Sequence, residues 1–166
     1  MTPALSPALS PALCIVPLGE AHIPALVTLF EQAVRRSGPE HYSAEQVEQW
    51  ALGSQHPGFV SQLREHHGWV AELGNVPLGF VTLSADGHLS LLYVSADHQR
   101  QGLGNLLLTT ALAGARALGL KHITTEASAF SYELFLRHGF TLTGLECVER
   151  GGVSFTRHRL HCCLPS

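Results

Sequence analysis

Apolar side chains recur along this chain with two periods, and the switches between them lay out its elements. Ile23, Leu26, Val27, Phe30 and Val34 fall three or four apart, a spacing that gathers side chains on one face of an α-helix and predicts a helix over 20–36. Ser43-Ala44-Glu45-Gln46 starts a second helix carrying Val47 and Trp50, because a serine N-cap and a glutamine three residues on satisfy each other's backbone N–H groups. Pro57 opens a third helical piece, with Phe59, Val60 and Leu63 along one side, since proline is tolerated in a first helical turn. Shorter apolar runs predict strands over 14–18, 69–73, 78–84 and 89–94, the second and third joined through Gly74-Asn75, a tight-turn dipeptide. A long aliphatic helix is expected over 103–118, stopped at Gly119. A strand over 122–127, a short helix over 130–138 and a closing hairpin (140–149 and 153–162, across Gly151-Gly152) complete the pattern. The order is one strand, two or three helices, three strands, a helix, a strand, a helix and two strands.

Before this pattern starts, residues 1–13 repeat a Pro-Ala-Leu-Ser unit. Its prolines break any helix, and it lacks the basic start of a signal peptide, so 1–13 is expected to be a low-complexity tail and 14–166 one domain. The chain has 166 residues, enough for a single core. Charged residues make up 14% and the net charge is -3; the few basic residues are scattered, which argues against nucleic acid as a partner. No stretch is apolar enough to suggest a membrane span. Cys14, Cys147, Cys162 and Cys163 form no C-x-x-C pair; reduced thiols and a cytoplasmic location are the simpler expectation.

The segment with the most chemistry is Leu89-Ser90-Leu91-Leu92-Tyr93-Val94 followed by Gln99-Arg100-Gln101-Gly102-Leu103-Gly104-Asn105. An apolar strand enters a short polar turn, and two glycines open it onto a helix. Backbone N–H groups and the positive end of the helix dipole then face outwards, which suits a pyrophosphate. A P-loop would need Gly-Lys-Ser/Thr where Gly104-Asn105-Leu106 stands, and a dinucleotide fingerprint a small residue where Leu107 stands. The pattern Gln99-x-x-Gly102-x-Gly104 resembles the acyl-CoA pyrophosphate loop of the Gcn5-related N-acetyltransferase superfamily. Downstream, Ser128-Ala129-Phe130-Ser131-Tyr132-Glu133-Leu134-Phe135-Leu136-Arg137-His138-Gly139-Phe140 looks like a second marker of that family, and the resemblance runs from about Cys14 to Cys162.

The resemblance implies an α/β (α+β) fold: a single mixed, mostly antiparallel sheet of about seven strands flanked by helices. It implies acetyl-CoA as acyl donor and direct transfer to an amine of a small molecule or a protein, by a monomer or homodimer. The strand residues Leu92, Tyr93 and Val94 would pair with the pantetheine arm, and a backbone N–H near Tyr93 or Val94 would stabilise the oxyanion. Backbone N–H groups of Gln101, Gly102, Leu103, Gly104 and Asn105 would hold the pyrophosphate, Gln99 and Arg100 would add side-chain donors, and Ser128 and Phe135 would also lie against the cofactor. Two departures stand out. Phe135 occupies the position of the tyrosine that protonates the departing thiolate in many members, and a phenyl ring donates no proton. Ser128 replaces the usual asparagine. Tyr132, three residues before Phe135, is the substitute acid to consider.

For the general base, Glu126 is the first candidate, because burial would raise a carboxylate toward the useful range. Glu72, Asp86 and His88 are weaker ones. Tyr42 and Trp50 are expected near the acceptor. No metal site is expected from the eleven histidines: in the densest cluster, His158-x-x-His161-Cys162-Cys163, strand alternation sets His158 and His161 on opposite faces. The alternative to an enzyme is a catalytically weak acyl-CoA-binding or sensing module.

Overall fold

In the computed structural model, which describes residues 12–165, the apolar runs become β1 (Leu13–Pro17), β2 (His67–Leu73), β3 (Val76–Leu83), β4 (His88–Val94), β5 (His122–Ala127), β6 (Thr141–Arg150) and β7 (Val153–Cys163). They form one sheet in the order β1-β2-β3-β4-β5-β7-β6. Every pairing is antiparallel except β4 with β5. The helices are α1 (Ile23–Ser37), α2 (Ala44–Ala51), α3 (Pro57–Glu65), α4 (Leu103–Ala117) and α5 (Tyr132–Arg137). Almost all of the repeat tail lies outside the described residues, and Leu13, which the sequence assigned to it, pairs with Leu73 in the sheet.

Both faces of the sheet are covered, which explains the apolar content. Leu26, Phe30 and Val34 of α1 pack with Val47, Phe59 and Leu63 of the next two helices on one face, against Val70 and Phe80. Leu107, Leu108 and Ala111 of α4 cover the other face with Phe135, against Val81, Leu83 and Ile123. Local signals do their expected work. The Gln46 backbone N–H donates to Ser43 Oγ at 3.1 Å and the Ser43 N–H to Gln46 Oε1 at 2.9 Å, while Gln46 Nε2 reaches the Ser154 carbonyl at 3.0 Å and ties α2 to the closing hairpin. Gly74 and Asn75 take φ of 56° and 69°, the left-handed pair that a two-residue hairpin turn requires. Cys147 is exposed, because β6 is an outer strand of the sheet.

The feature that matters for function is an interruption. Thr82 faces Leu91 while Leu83 faces Leu89, so Ser90 is an extra residue in β4. Such a bulge bends its strand and sharpens the local twist. The parallel pairing of β4 with β5 covers only His88↔Thr124 and Leu89↔Thr125, and the Thr125 hydroxyl donates to the Leu89 carbonyl at 2.7 Å. Beyond that bond the two strands part, and one edge of β4 runs on to Val94 without a strand partner among the described residues.

Helix α4 is pressed close to the sheet at Gly114. A Cβ there would lie 2.4 Å from Trp69 Cζ2 and 2.7 Å from Cη2, and an indole in a packed layer cannot retreat freely. Gly114→Ala gains about 1 kcal/mol of helix propensity, but overpacking of this kind costs about 1–3 kcal/mol. We expect a net fall in melting temperature of a few degrees in thermal unfolding. A rise would show that α4 stands further from β2.

Candidate active site

Where β4 and β5 separate, a cleft of about 1320 Å³ opens through the sheet. One wall is β4 from His88 to Val94, continuing through the loop to the first turn of α4; the other combines the end of β5, the start of α5 and the closing hairpin. Of the residues singled out from sequence, Leu92, Tyr93, Val94, Gln99, Arg100, Gly102, Leu103, Gly104 and Asn105 line it on the first side. Glu126, Ser128 and Phe135 line it on the second. Gln101 and Tyr132 are not among the lining residues.

The loop has a reason for its composition. Gly102 is the N-cap of α4 with φ 84°, where an L side chain is strained, and no side chain among the described residues caps the helix. The first N–H groups of a 15-residue helix therefore face the cleft with the positive end of its dipole. Arg100 also has a positive φ, 61°, a strain that functional loops often carry. Gln99 acts on the protein itself: its Nε2 donates to the Val94 carbonyl at 2.7 Å and to the Ser95 carbonyl at 3.4 Å. It fastens the loop to the end of β4.

At the root of the cleft, His88 at the start of β4 meets Glu126 near the end of β5. His88 Nε2 lies 2.9 Å from Glu126 Oε1 and 3.1 Å from Oε2, both side chains being partly buried. The hydrogen bond to Glu126 raises the His88 pKa above its ordinary value despite desolvation. The same bond holds Glu126 below the ordinary carboxylate value, outweighing burial. The expectation that burial would raise Glu126 is therefore corrected, because the paired imidazole outweighs desolvation. Of the weaker base candidates, Asp86 bonds Ser84 and Glu72 bonds His22, and neither lines the cleft.

Tyr132 is turned onto β7, its ring stacked on His158 with centroids 4.2 Å apart. Phe135 is buried against Phe140. The far side of the cleft is aromatic: Tyr42 and Trp50 meet edge to face at 5.2 Å, with Phe130 and Phe155 beside them. Trp50 Nε1 donates to Tyr93 Oη at 3.2 Å, and burial pushes the Tyr93 phenol up to about 12. The Ala129 N–H donates to Tyr42 Oη at 2.9 Å. No helix among the described residues is long and apolar enough to cross a membrane.

Comparison with known proteins agrees with this geometry. A family model described as an acetyltransferase (GNAT) domain matches residues 39–162. The uncharacterized N-acetyltransferase YafP of Escherichia coli K12 is 28% identical over 131 residues, 79% of this chain and 83% of that protein. A GCN5-related N-acetyltransferase of Rhodopseudomonas palustris superposes with a TM-score of 0.85 at 26% identity, over 93% of this chain and 96% of that one. The PaiA N-acetyltransferase of Thermoplasma acidophilum, crystallised in complex with coenzyme A, superposes with a TM-score of 0.73 at 14% identity, over 92% and 99%.

The His88–Glu126 pair sets a pH window for stability. Glu126, whose folded pKa is lowered, contributes above its ordinary value of 4.5 and loses that contribution as pH falls through the lowered value. His88, whose folded pKa is raised, contributes below its ordinary value of 6.5 and loses it as pH rises through the raised value. The two overlap near pH 5.5. Partial exposure limits the pair to about 0.5–1 kcal/mol, so Glu126→Gln should lower the melting temperature by roughly 2–3 °C at pH 5.5 and by less at pH 9. An equal loss at both values would mean that Glu126 is held by something other than His88.

Proposed function

The chain belongs to the GNAT acetyltransferase family, and from that premise we propose that it transfers an acetyl group from acetyl-CoA directly to a primary amine of a small molecule or a protein. The observation that carries this reading is the joining, in one cleft, of an unpartnered strand edge, an open helix N-terminus and an ionisable pair at their meeting point. The edge of β4 offers main-chain partners to a pantetheine arm, as an added strand would take them. The loop from Gln99 to Asn105 offers N–H groups to the pyrophosphate, with Arg100 at its rim.

An amine with a pKa near 10.4 is mostly protonated at neutral pH and must lose a proton before it can attack. His88 is the base whose range suits the task. Glu126, ionised and hydrogen-bonded to Nε2, holds the ring and leaves Nδ1 to accept the proton. The neutral amine nitrogen bonds to the thioester carbonyl carbon, and a backbone N–H near Tyr93 or Val94 steadies the oxyanion. Its collapse breaks the C–S bond. A thiolate of pKa about 8.5 leaves readily, so the phenyl ring at Phe135 and a Tyr132 facing β7 are compatible with turnover. The aromatic lining around Trp50 favours an acceptor with a flat or apolar body beside its amine.

Two experiments test the reading. Acetyl-CoA should raise the melting temperature, and Gly102→Glu, which forces a side chain and a negative charge into the loop, should remove that shift while the apo protein stays folded. Unchanged binding by the variant would move the pyrophosphate elsewhere. Release of free thiol from acetyl-CoA should then be followed over a panel of amines, amino acids, polyamines and peptides. With a responsive amine, the acidic limb of kcat/KM should follow the raised His88 pKa. Glu126→Gln should shift that limb to lower pH, and His88→Gln should abolish it with a loss on the order of 10²–10⁴-fold. A limb unmoved in both variants would remove the pair from proton transfer. Binding without thiol release over the whole panel would instead favour the acyl-CoA-sensing reading, which the missing acid at Phe135 supports.

A further inference from the structure

At the opposite end of β5 from Glu126, the antiparallel pairing with β7 sets His122 directly across from Cys163, and Thr124 across from His161. Residues opposed in this way share a sheet face, and diagonal neighbours lie close enough for long side chains to touch. His122 Nδ1 and His161 Nε2 are 3.0 Å apart, and Cys163 Sγ lies 3.8 Å from His122 Nδ1. All three atoms fall within 4.8 Å of one another.

We propose that His122, His161 and Cys163 form a tridentate site for a thiophilic divalent cation, zinc in the first instance. With Zn–N near 2.0–2.1 Å and Zn–S near 2.3 Å, a tetrahedral ion needs N···N of about 3.3 Å and N···S of about 3.6 Å. The two close contacts are within about 0.3 Å of those values. The remaining gap, between His161 and Cys163, closes by rotation of the Cys163 side chain, which is exposed. Two imidazoles and a thiolate select zinc, cobalt, nickel or copper over calcium and magnesium, which prefer oxygen. His161 also borders a shallow groove of about 250 Å³ with Thr124, Thr143 and Arg159, where water completes the coordination. Binding bridges two adjacent strands and displaces the thiol proton, so affinity rises with pH. This site does not depend on acetyl transfer.

The test uses the full chain, freed of metal and kept reduced. One equivalent of Co²⁺ should give visible bands of tetrahedral intensity and a thiolate charge-transfer band in the near ultraviolet. Zn²⁺ should displace it, raise the melting temperature and bind more tightly at pH 8 than at pH 6. Cys163→Ser should abolish the charge-transfer band. His122→Asn, which keeps a polar side chain at an exposed position, should weaken binding at least about tenfold. His66→Ala with His67→Ala, on another part of the chain, should leave it unchanged. Absence of the charge-transfer band in the wild type, or an affinity in the His122 and Cys163 variants equal to that of the wild type, would overturn the proposal. So would a stoichiometry that falls only with His66 and His67.

Discussion

The separation of β4 from β5 is the constraint on which the rest of this molecule depends. A parallel pair normally continues along its length, yet here it ends after two residue pairs. Ser90 inserts an extra residue that turns β4 aside, and Thr125 supplies a hydroxyl to the Leu89 carbonyl where the ladder stops. The divergence exposes a strand edge, which would invite aggregation on a free surface; in this chain it lies inside a cleft walled by helices and a hairpin. Gln99 occupies one carbonyl of that edge, and the adjacent helix turns its N-terminus into the same space. Sheet, loop and helix are thus arranged around a gap in the hydrogen bonding.

Much of the architecture is legible in local chemistry. The helical spacing of Ile23 to Val34, the box at Ser43 and Gln46, and the turns at Gly74-Asn75 and Gly151-Gly152 each act over a few residues, and each forms as expected. Departures arise where tertiary contacts decide. Glu20–His22 winds as a 3-10 turn ahead of α1, and Leu13 joins the sheet because Leu73 offers it a partner. The bulge at Ser90 leaves no signature in composition: its neighbours are ordinary strand formers, and only the register against β3 shows it.

For the site, a similar division holds. The glycine loop is readable because its demands, a left-handed residue and an open helix start, are local ones. The pairing of His88 with Glu126 joins residues on two strands brought together by a crossover, so neither spacing nor residue type announces it. The orientation of Tyr132 depends on His158, which offers its ring a flat surface across α5 and β7. The histidine and cysteine cluster escaped for the same reason. Read within β7 alone, alternation separates His158 from His161; the missing partner, His122, comes from the neighbouring strand.

Tyr93 sits on both sides of this design. Its main chain pairs with Phe80 of β3 between Leu92 and Val94 in the strand that carries the free edge, while its hydroxyl accepts from Trp50 in the aromatic wall. The first side of the cleft is built largely from peptide groups, which are the same for every amino acid. The second is built from side chains such as Tyr42, Trp50, Phe130 and Phe155. Replacement of surface residues therefore alters the two halves unequally: the aromatic wall can be remodelled one residue at a time while the peptide wall persists. Under the proposed reading, a fold of this kind can change its acceptor without relearning its donor, with Tyr93 as the residue where the two histories are joined.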